Sequence, residues 1–276
     1  MALPWWAKMG AKLLLTRLNI PYGFWRRMGL FRHGAMDDPV HAQQVFATHF
    51  AAYESPAPDF TCLELGCGDA LSTALLARRA GAGRTILVDA GDFAATDADT
   101  YAALAAALGD AKAHTPPASR DDYLRANAAV YLTEGLASLR ELPDKCADFV
   151  FSNAVLEHIR RDEFTDTMRE LRRIQRPGGV GSHQVDFRDH LGGGRNNLRF
   201  GDAFWERPGV ATAGFYTNRI APSEMLKLFD ACGFAVTVRS TSHHDGPPLP
   251  RRALHPQFEH VSDDDLRIAG YHVVLR

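Results

Sequence analysis

Two groups of residues in this 276-residue chain carry types and spacing that can do chemistry. The first is Glu64-Leu-Gly66-Cys67-Gly68-Asp69, followed about twenty residues on by Asp89. Glycines directly after a strand let the backbone bend close to a bound molecule. An acid closing the next strand can accept hydrogen bonds from ribose hydroxyls. The turn lacks the third glycine of the dinucleotide fingerprint, as expected of a site that binds no pyrophosphate.

The second group is proton chemistry. His158 follows a predicted strand, and His183-Gln-Val-Asp186-Phe-Arg188-Asp189-His190 runs through another strand into a loop. A positioned histidine or carboxylate can take the proton of an attacking hydroxyl, and Arg188 suits an anionic acceptor. The opposing reading is a structural histidine and a polar strand end that pins a loop. A metal held by His183, Asp186 and His190 is disfavoured, because strand alternation puts the first two on opposite faces. Further on, Asn196, Asn197, Phe200, Phe204, Trp205, Phe215, Tyr216, Asn218 and Arg219 interleave rings with amides and arginine. Such a set fits a polar ring such as a sugar, or equally a lid packed on an N-terminal helix. Arg32-His33-Gly34 could close the pocket from the other side, with no local signal that marks it.

Short apolar strands alternating with helices must position these groups, a pattern that predicts a parallel sheet. Strands are expected at Phe60–Leu65, Arg84–Asp89, Ala129–Thr133, Asp148–Asn153 and Val180–Phe187. Helices are expected at Leu71–Ala80, around Tyr101–Leu108, at Phe164–Arg176 and near Pro222–Ala231, with a loop at Pro116-Pro117. Pro177-Gly178-Gly179 should halt the third of these. Two late strands, Phe234–Ser240 and Tyr271–Leu275, are too few for a separate core and are assigned to the same sheet. Residues 1–55 read as a helical cap broken at Pro21-Tyr-Gly and Asp37-Asp-Pro. Trp6, Met9 and Leu13 are expected to share its buried face, with Lys8 and Lys12 off it.

Composition narrows the rest. A hydrophobic share of 46% with 23% charged residues is that of an ordinary globular protein. A net charge of −2 provides no global field to concentrate nucleic acid. Cys62, Cys67, Cys146 and Cys232 show no metal-ligand spacing and read as reduced thiols. The N-terminal apolar run is interrupted by lysines, which makes it a poor signal peptide or membrane span and points to a cytoplasmic protein.

Leu-Glu-Leu-Gly-Cys-Gly-Asp strongly resembles the first motif of class I S-adenosylmethionine-dependent methyltransferases. Ile86-Leu-Val-Asp89 resembles their second motif. Asp148-Phe-Val-Phe-Ser-Asn-Ala-Val-Leu-Glu157-His158-Ile resembles the fourth-strand motif, and Leu171-Arg-Arg-Ile-Gln-Arg-Pro-Gly-Gly the entry to strand five. Four motifs in order over roughly 130 residues are more specific than any one of them. Val-Asp-Phe-Arg-Asp-His and Thr217-Asn-Arg-Ile add a weaker similarity to bacterial methyltransferases of surface-polysaccharide and other specialised pathways.

The resemblance implies a Rossmann-like α/β fold, with a mostly parallel seven-stranded sheet and an antiparallel last strand, over residues 56–276. It also implies an acceptor-side insertion at 191–221. S-adenosylmethionine would lie against Glu64, Gly66, Cys67, Gly68, Asp89, Ala90, Leu136, Ala137 and Asn153. The family often has an aspartate near Leu136, and this chain has none at that pair, so adenine would rest on apolar and main-chain groups. The expected activity is O-methylation of a sugar or other small polar metabolite, with His158, Asp186, Asp189 and His190 as base candidates. Arg188, Trp205, Tyr216, Asn218 and Arg219 would contact that acceptor. N- or C-methylation, and a non-catalytic cofactor-binding module, remain alternatives.

Overall fold

The computed structural model describes residues 4–16, 35–108 and 117–276. The expected break at Pro21, the Arg32-His33-Gly34 segment and Pro116 lie outside the described residues.

Seven strands form one sheet: β1 (Thr61–Leu65), β2 (Arg84–Val88), β3 (Ala129–Leu132), β4 (Ala147–Asn153), β5 (Gln175–Asp186), β6 (Val236–His243) and β7 (Ile268–Leu275). Their order is β3-β2-β1-β4-β5-β7-β6. The first five are parallel, and β7 inserts antiparallel to both β5 and β6. The late strands thus complete the same sheet, as their short apolar pattern implies. The carboxyl ends of β1 to β5 share one edge, where an open α/β sheet forms its ligand crevice.

Strand alternation sorts the core into two layers. On one face, Cys62 and the stacked rings Phe149 and Phe151 meet α2 (Pro39–Phe50), α3 (Ser72–Arg79), α4 (Ala98–Ala107) and α5 (Arg120–Ala126). On the other, Leu63, Leu65 and Val150 meet α6 (Leu136–Glu141), α7 (Arg161–Ile174) and α8 (Pro222–Ala231). Helix starts are signalled locally. The side chains of Asp38, Asp97 and Ser119 accept from the first-turn N–H groups of α2, α4 and α5, each contributing about 1 kcal/mol. A polar chain locks α2 to the sheet: His49 Nδ1 to Ser182 Oγ at 2.9 Å, and Ser182 Oγ to His272 Nε2 at 2.8 Å.

Two expectations change. Helix α7 ends at Ile174, before Pro177, because Gln175 is already extended and pairs with Ala147. Its amide holds the ensuing bulge by donating to Gly179 O and Leu275 O. In the N-terminal helix α1 (Trp5–Thr16), the packed stripe is Trp5, Met9 and Leu13, while Trp6 is 61% exposed. Trp5 meets Phe200 edge-on and lies under the Arg199 guanidinium, so this helix rests on the segment following β5.

Candidate active site

The glycine turn after β1 is braced from β2. Asp89 Oδ2 accepts from Gly68 N at 2.9 Å, and Oδ1 from Ala90 N at 2.8 Å. Gly66 N donates to Val88 O, and both glycines adopt positive φ, +81° and +69°, the region that favours glycine. A Cβ at Gly66 would collide with Val155, from the turn after β4. The Cys67 thiol is buried within this turn, where burial pushes its pKa up.

Glu64 lies beneath the turn, 2% exposed. Burial raises its carboxyl pKa to about 8, and Oε2 has no hydrogen-bond partner among the described residues. An orphaned acid oxygen beside a glycine turn is suited to a cationic group such as an amino acid's ammonium. Along the same edge, a cleft of about 360 Å³ is walled by Ala90, Glu134, Gly135, Leu136, Ala137, Arg140 and Glu163, within the size range of small-ligand sites. Asn153 ends β4 beside His49, whose pKa burial depresses to about 3. The residues present therefore fit an adenosyl amino acid: a polar notch at the turn, Asp89 beside it and a semi-apolar cleft beyond.

The proton-transfer candidates gather past β4 and β5. His158 Nδ1 donates to Tyr216 O at 2.8 Å, and His158 Nε2 lies 3.1 Å from His190 Nε2. The ring planes differ by only 15°, with centroids 4.9 Å apart, the span of an edge-to-edge N–H···N bond. A carbonyl can only accept, so Nδ1 of His158 carries its hydrogen. In the neutral pair, His158 Nε2 then accepts from His190. Crowding by protein pushes the His190 pKa below its ordinary value, against the pull of nearby Asp186. Asp186 itself is clamped by Arg188 through Nε at 2.9 Å and Nη2 at 2.7 Å. That pairing, working against burial, leaves its carboxyl below the usual range.

Several expected contact residues face inward instead. Asp189 Oδ1 accepts from the N–H groups of Leu191, Gly192 and Gly193, and Oδ2 from Asn196, so its carboxylate is the core of a loop. The Trp205 indole is fully buried and donates to Thr217 O. Asn218 donates to Leu156 O and Ile159 O, tying down the turn that bears His158. The Arg219 guanidinium is buried between Trp205 and Phe258, bonded to Phe200 O and Asp202. Tyr216 serves through its carbonyl, since its hydroxyl is engaged with Glu206. These aromatics and amides hold the lid. His183 is likewise buried, bonded to Ser152 away from Asp186. Among the described residues no three candidate ligands cluster for a metal.

Two residues escaped sequence reasoning. Glu134 supplies a carboxylate of the cleft, alongside Glu163, from just before the Leu136-Ala137 pair. Glu157 is 2% exposed, accepts from Asp186 N through Oε1 at 3.3 Å, and leaves Oε2 unpartnered. The signal for Glu157 was an acid within an otherwise apolar Ala-Val-Leu run.

Comparison with known proteins bears on the fold. Residues 63–181 match the family model described as a methyltransferase domain. The fold resembles the Burkholderia thailandensis 1,6-didemethyltoxoflavin-N1-methyltransferase solved with its substrate and S-adenosylhomocysteine. That match has 15% identity and a TM-score of 0.50, covering 100% of this chain and 91% of that one. A methyltransferase from Methanosarcina mazei is matched at 14% identity and a TM-score of 0.47, over 81% of this chain and 94% of that one. No curated protein sequence matches the chain.

Proposed function

We propose that the chain, whose residues 63–181 match a methyltransferase-domain model, is an S-adenosylmethionine-dependent methyltransferase that methylates an oxygen of a small polar acceptor, with the His158–His190 pair taking the proton. The sulfonium of the bound cofactor supplies an already activated methyl group. The protein's task is then to align the acceptor and remove its proton as the new bond forms.

Glu64, the Gly66–Gly68 turn and Asp89 hold the amino-acid and ribose parts, while Ala90, Leu136, Ala137 and Glu134 border the base. Asn153 closes this side from the end of β4. At the acceptor side, the observation that carries the reading is the Nε2–Nε2 contact of 3.1 Å between His158 and His190. Tyr216 O fixes the tautomer, so the pair presents a basic nitrogen instead of two competing N–H groups. His158 uses both ring nitrogens, Nδ1–H on Tyr216 O and Nε2 on His190, so the hydroxyl proton of the acceptor would pass to the lone pair left on His190 Nδ1. Arg188, oriented by Asp186 but 55% exposed at its side chain, keeps N–H groups for a carboxylate or phosphate on the acceptor. This favours a hydroxylated anion, such as an acidic sugar, over a neutral one.

Rates measured against pH for wild type, His158→Asn and His190→Asn test the proposal. Each variant should lose about 100-fold in kcat together with the acidic limb of the profile. Unchanged profiles in both variants would refute a histidine base and leave an acceptor that needs none.

A further inference from the structure

We propose that Glu157 is a positioning residue, whose uncharged carboxyl ties the turn bearing His158 to the end of β5 and thereby sets the His158–His190 contact. This rests on the reading of that pair as the base, and it deepens that reading.

The turn of residues 154–159 joins β4 to α7. It is not a relaxed connection: Ala154 sits at φ +53°, a region that side-chain-bearing residues rarely occupy and that surrounding structure must impose. The lid segment grips it from one side. Glu157 O accepts from Asn218 N at 2.7 Å, Asn218 Nδ2 bonds Leu156 O and Ile159 O, and Tyr216 O takes His158 Nδ1–H. From the other side, Ala154 N bonds Gln184 O on β5. The side-chain tie there is Glu157 Oε1 accepting from Asp186 N. His158 is thus held to the lid, and Glu157, its neighbour, is held to the strand end from which the chain runs on to His190. Among the described residues, this bond is the one by which the Glu157 side chain links the turn to the end of β5.

The surroundings decide the charge state. The carboxyl faces Asp186 and Arg188 at the end of β5, and Tyr271 on β7 has a buried hydroxyl without a partner among the described residues. Asp265 stands beyond Tyr271, and His158 is its neighbour in the turn. Arg188 is the one cation acting on Glu157 among these, and it is already committed to Asp186. A second carboxylate would therefore sit buried against the first with no counter-charge of its own. Burial accordingly raises the Glu157 pKa to about 8, and at neutral pH the group keeps its proton. The protonated acid still accepts from Asp186 N and resembles glutamine in shape and charge.

Glu157→Gln and Glu157→Ala, compared with wild type, test this through two readouts. The first is the imidazole ¹⁵N shifts of His158 and His190, which report the Nδ1–H tautomer without any turnover. The second is the rate of methyl transfer against pH. We expect Glu157→Gln to keep the tautomer and retain the rate within about threefold, and to lack the decline above pH 8 expected of wild type. Glu157→Ala should scramble the tautomer and lose about 10- to 100-fold in rate, with affinity for S-adenosylhomocysteine preserved. An alanine variant matching wild type in tautomer and rate overturns the proposal. So does a glutamine variant as impaired as alanine, because the ionised form would then be required. Should alanine fail to fold, the glutamine comparison alone decides. If the tautomer follows Glu157 as described but no hydroxyl acceptor is methylated by wild type, the positioning role stands and the O-methylation reading fails.

Discussion

Asp89 accepts the Gly68 N–H at 2.9 Å across twenty-one residues, so the acid that closes β2 also holds the backbone bend that follows β1. The two features that first drew notice in the sequence are parts of one device. A charged acceptor for a main-chain N–H is stronger than a neutral one, and the carboxylate retains lone pairs for further donors. Replacing Asp89 by alanine therefore removes a brace and, on the proposed reading, a ribose ligand at once. Affinity for S-adenosylhomocysteine should fall tenfold or more, roughly 1.4 kcal/mol, by calorimetry. Asp89→Asn, which keeps one acceptor oxygen, should lose less than alanine.

Glu64 gives a proton-release signature. Its carboxyl is protonated at neutral pH because burial holds the pKa near 8. A cationic ammonium docking beside the orphaned oxygen favours the charged form, so binding should expel about one proton at pH 7. Titrations in buffers of different ionisation enthalpy read this as a buffer-dependent heat. Glu64→Gln should abolish the dependence, and a buffer-independent heat in wild type would assign the ammonium elsewhere.

Stability should be highest on a plateau between about pH 4.5 and 6.5, where two opposing effects cancel. His49 and His183 are pushed to about 3 by burial, so between pH 3 and 6.5 the unfolded chain binds more protons and stability rises with pH. Glu64 and Glu157 are pushed up to about 8. Between roughly pH 4.5 and 8 the folded state is the one holding extra protons, so these acids lower stability as pH rises. Above pH 6.5 only the carboxyl effect of these four groups remains. Urea unfolding should show a loss on the order of 2–3 kcal/mol from pH 6.5 to 8.5. The glutamine variant of either residue should flatten that arm.

Arg219 should prove structural. Its guanidinium is buried between Trp205 and Phe258 and anchored on Phe200 O and Asp202. Arg219→Ala leaves a cavity and an unpaired carbonyl, and should destabilise by about 2–4 kcal/mol. Asp202 is half exposed and regains water, which keeps the loss from being larger. Cofactor affinity at low temperature should stay within about twofold. A variant of unchanged melting temperature but raised acceptor KM would instead return Arg219 to the binding surface.

The sheet and the braced glycine turn at its edge were legible because their signals are local. A glycine turn after an apolar strand, an acid at the next strand end, and capping residues all act within a few positions. The end of α7 was misjudged because Gln175 leaves the helix to pair with Ala147, a partner twenty-eight positions away. On α1 the stripe keeps Met9 and Leu13 but takes Trp5 in place of Trp6, because the two tryptophans are equally apolar and only the surface offered by Phe200 and Arg199 separates them. At the acceptor side, residue types were readable but directions were not. Trp205, Asn218 and Arg219 have the same composition in a lid as in a sugar platform, and only their internal bonds distinguish the two. The His158–His190 contact depends on two turns meeting in space, which no spacing encodes.

Calorimetric titration of the wild-type chain with S-adenosylmethionine and S-adenosylhomocysteine tests the cofactor site most directly. Glu64, the Gly66–Gly68 bend and Asp89 predict saturable one-site binding of both, with adenosine alone binding far more weakly because it lacks the amino-acid part. An absence of heat and of thermal stabilisation with either compound would contradict the account.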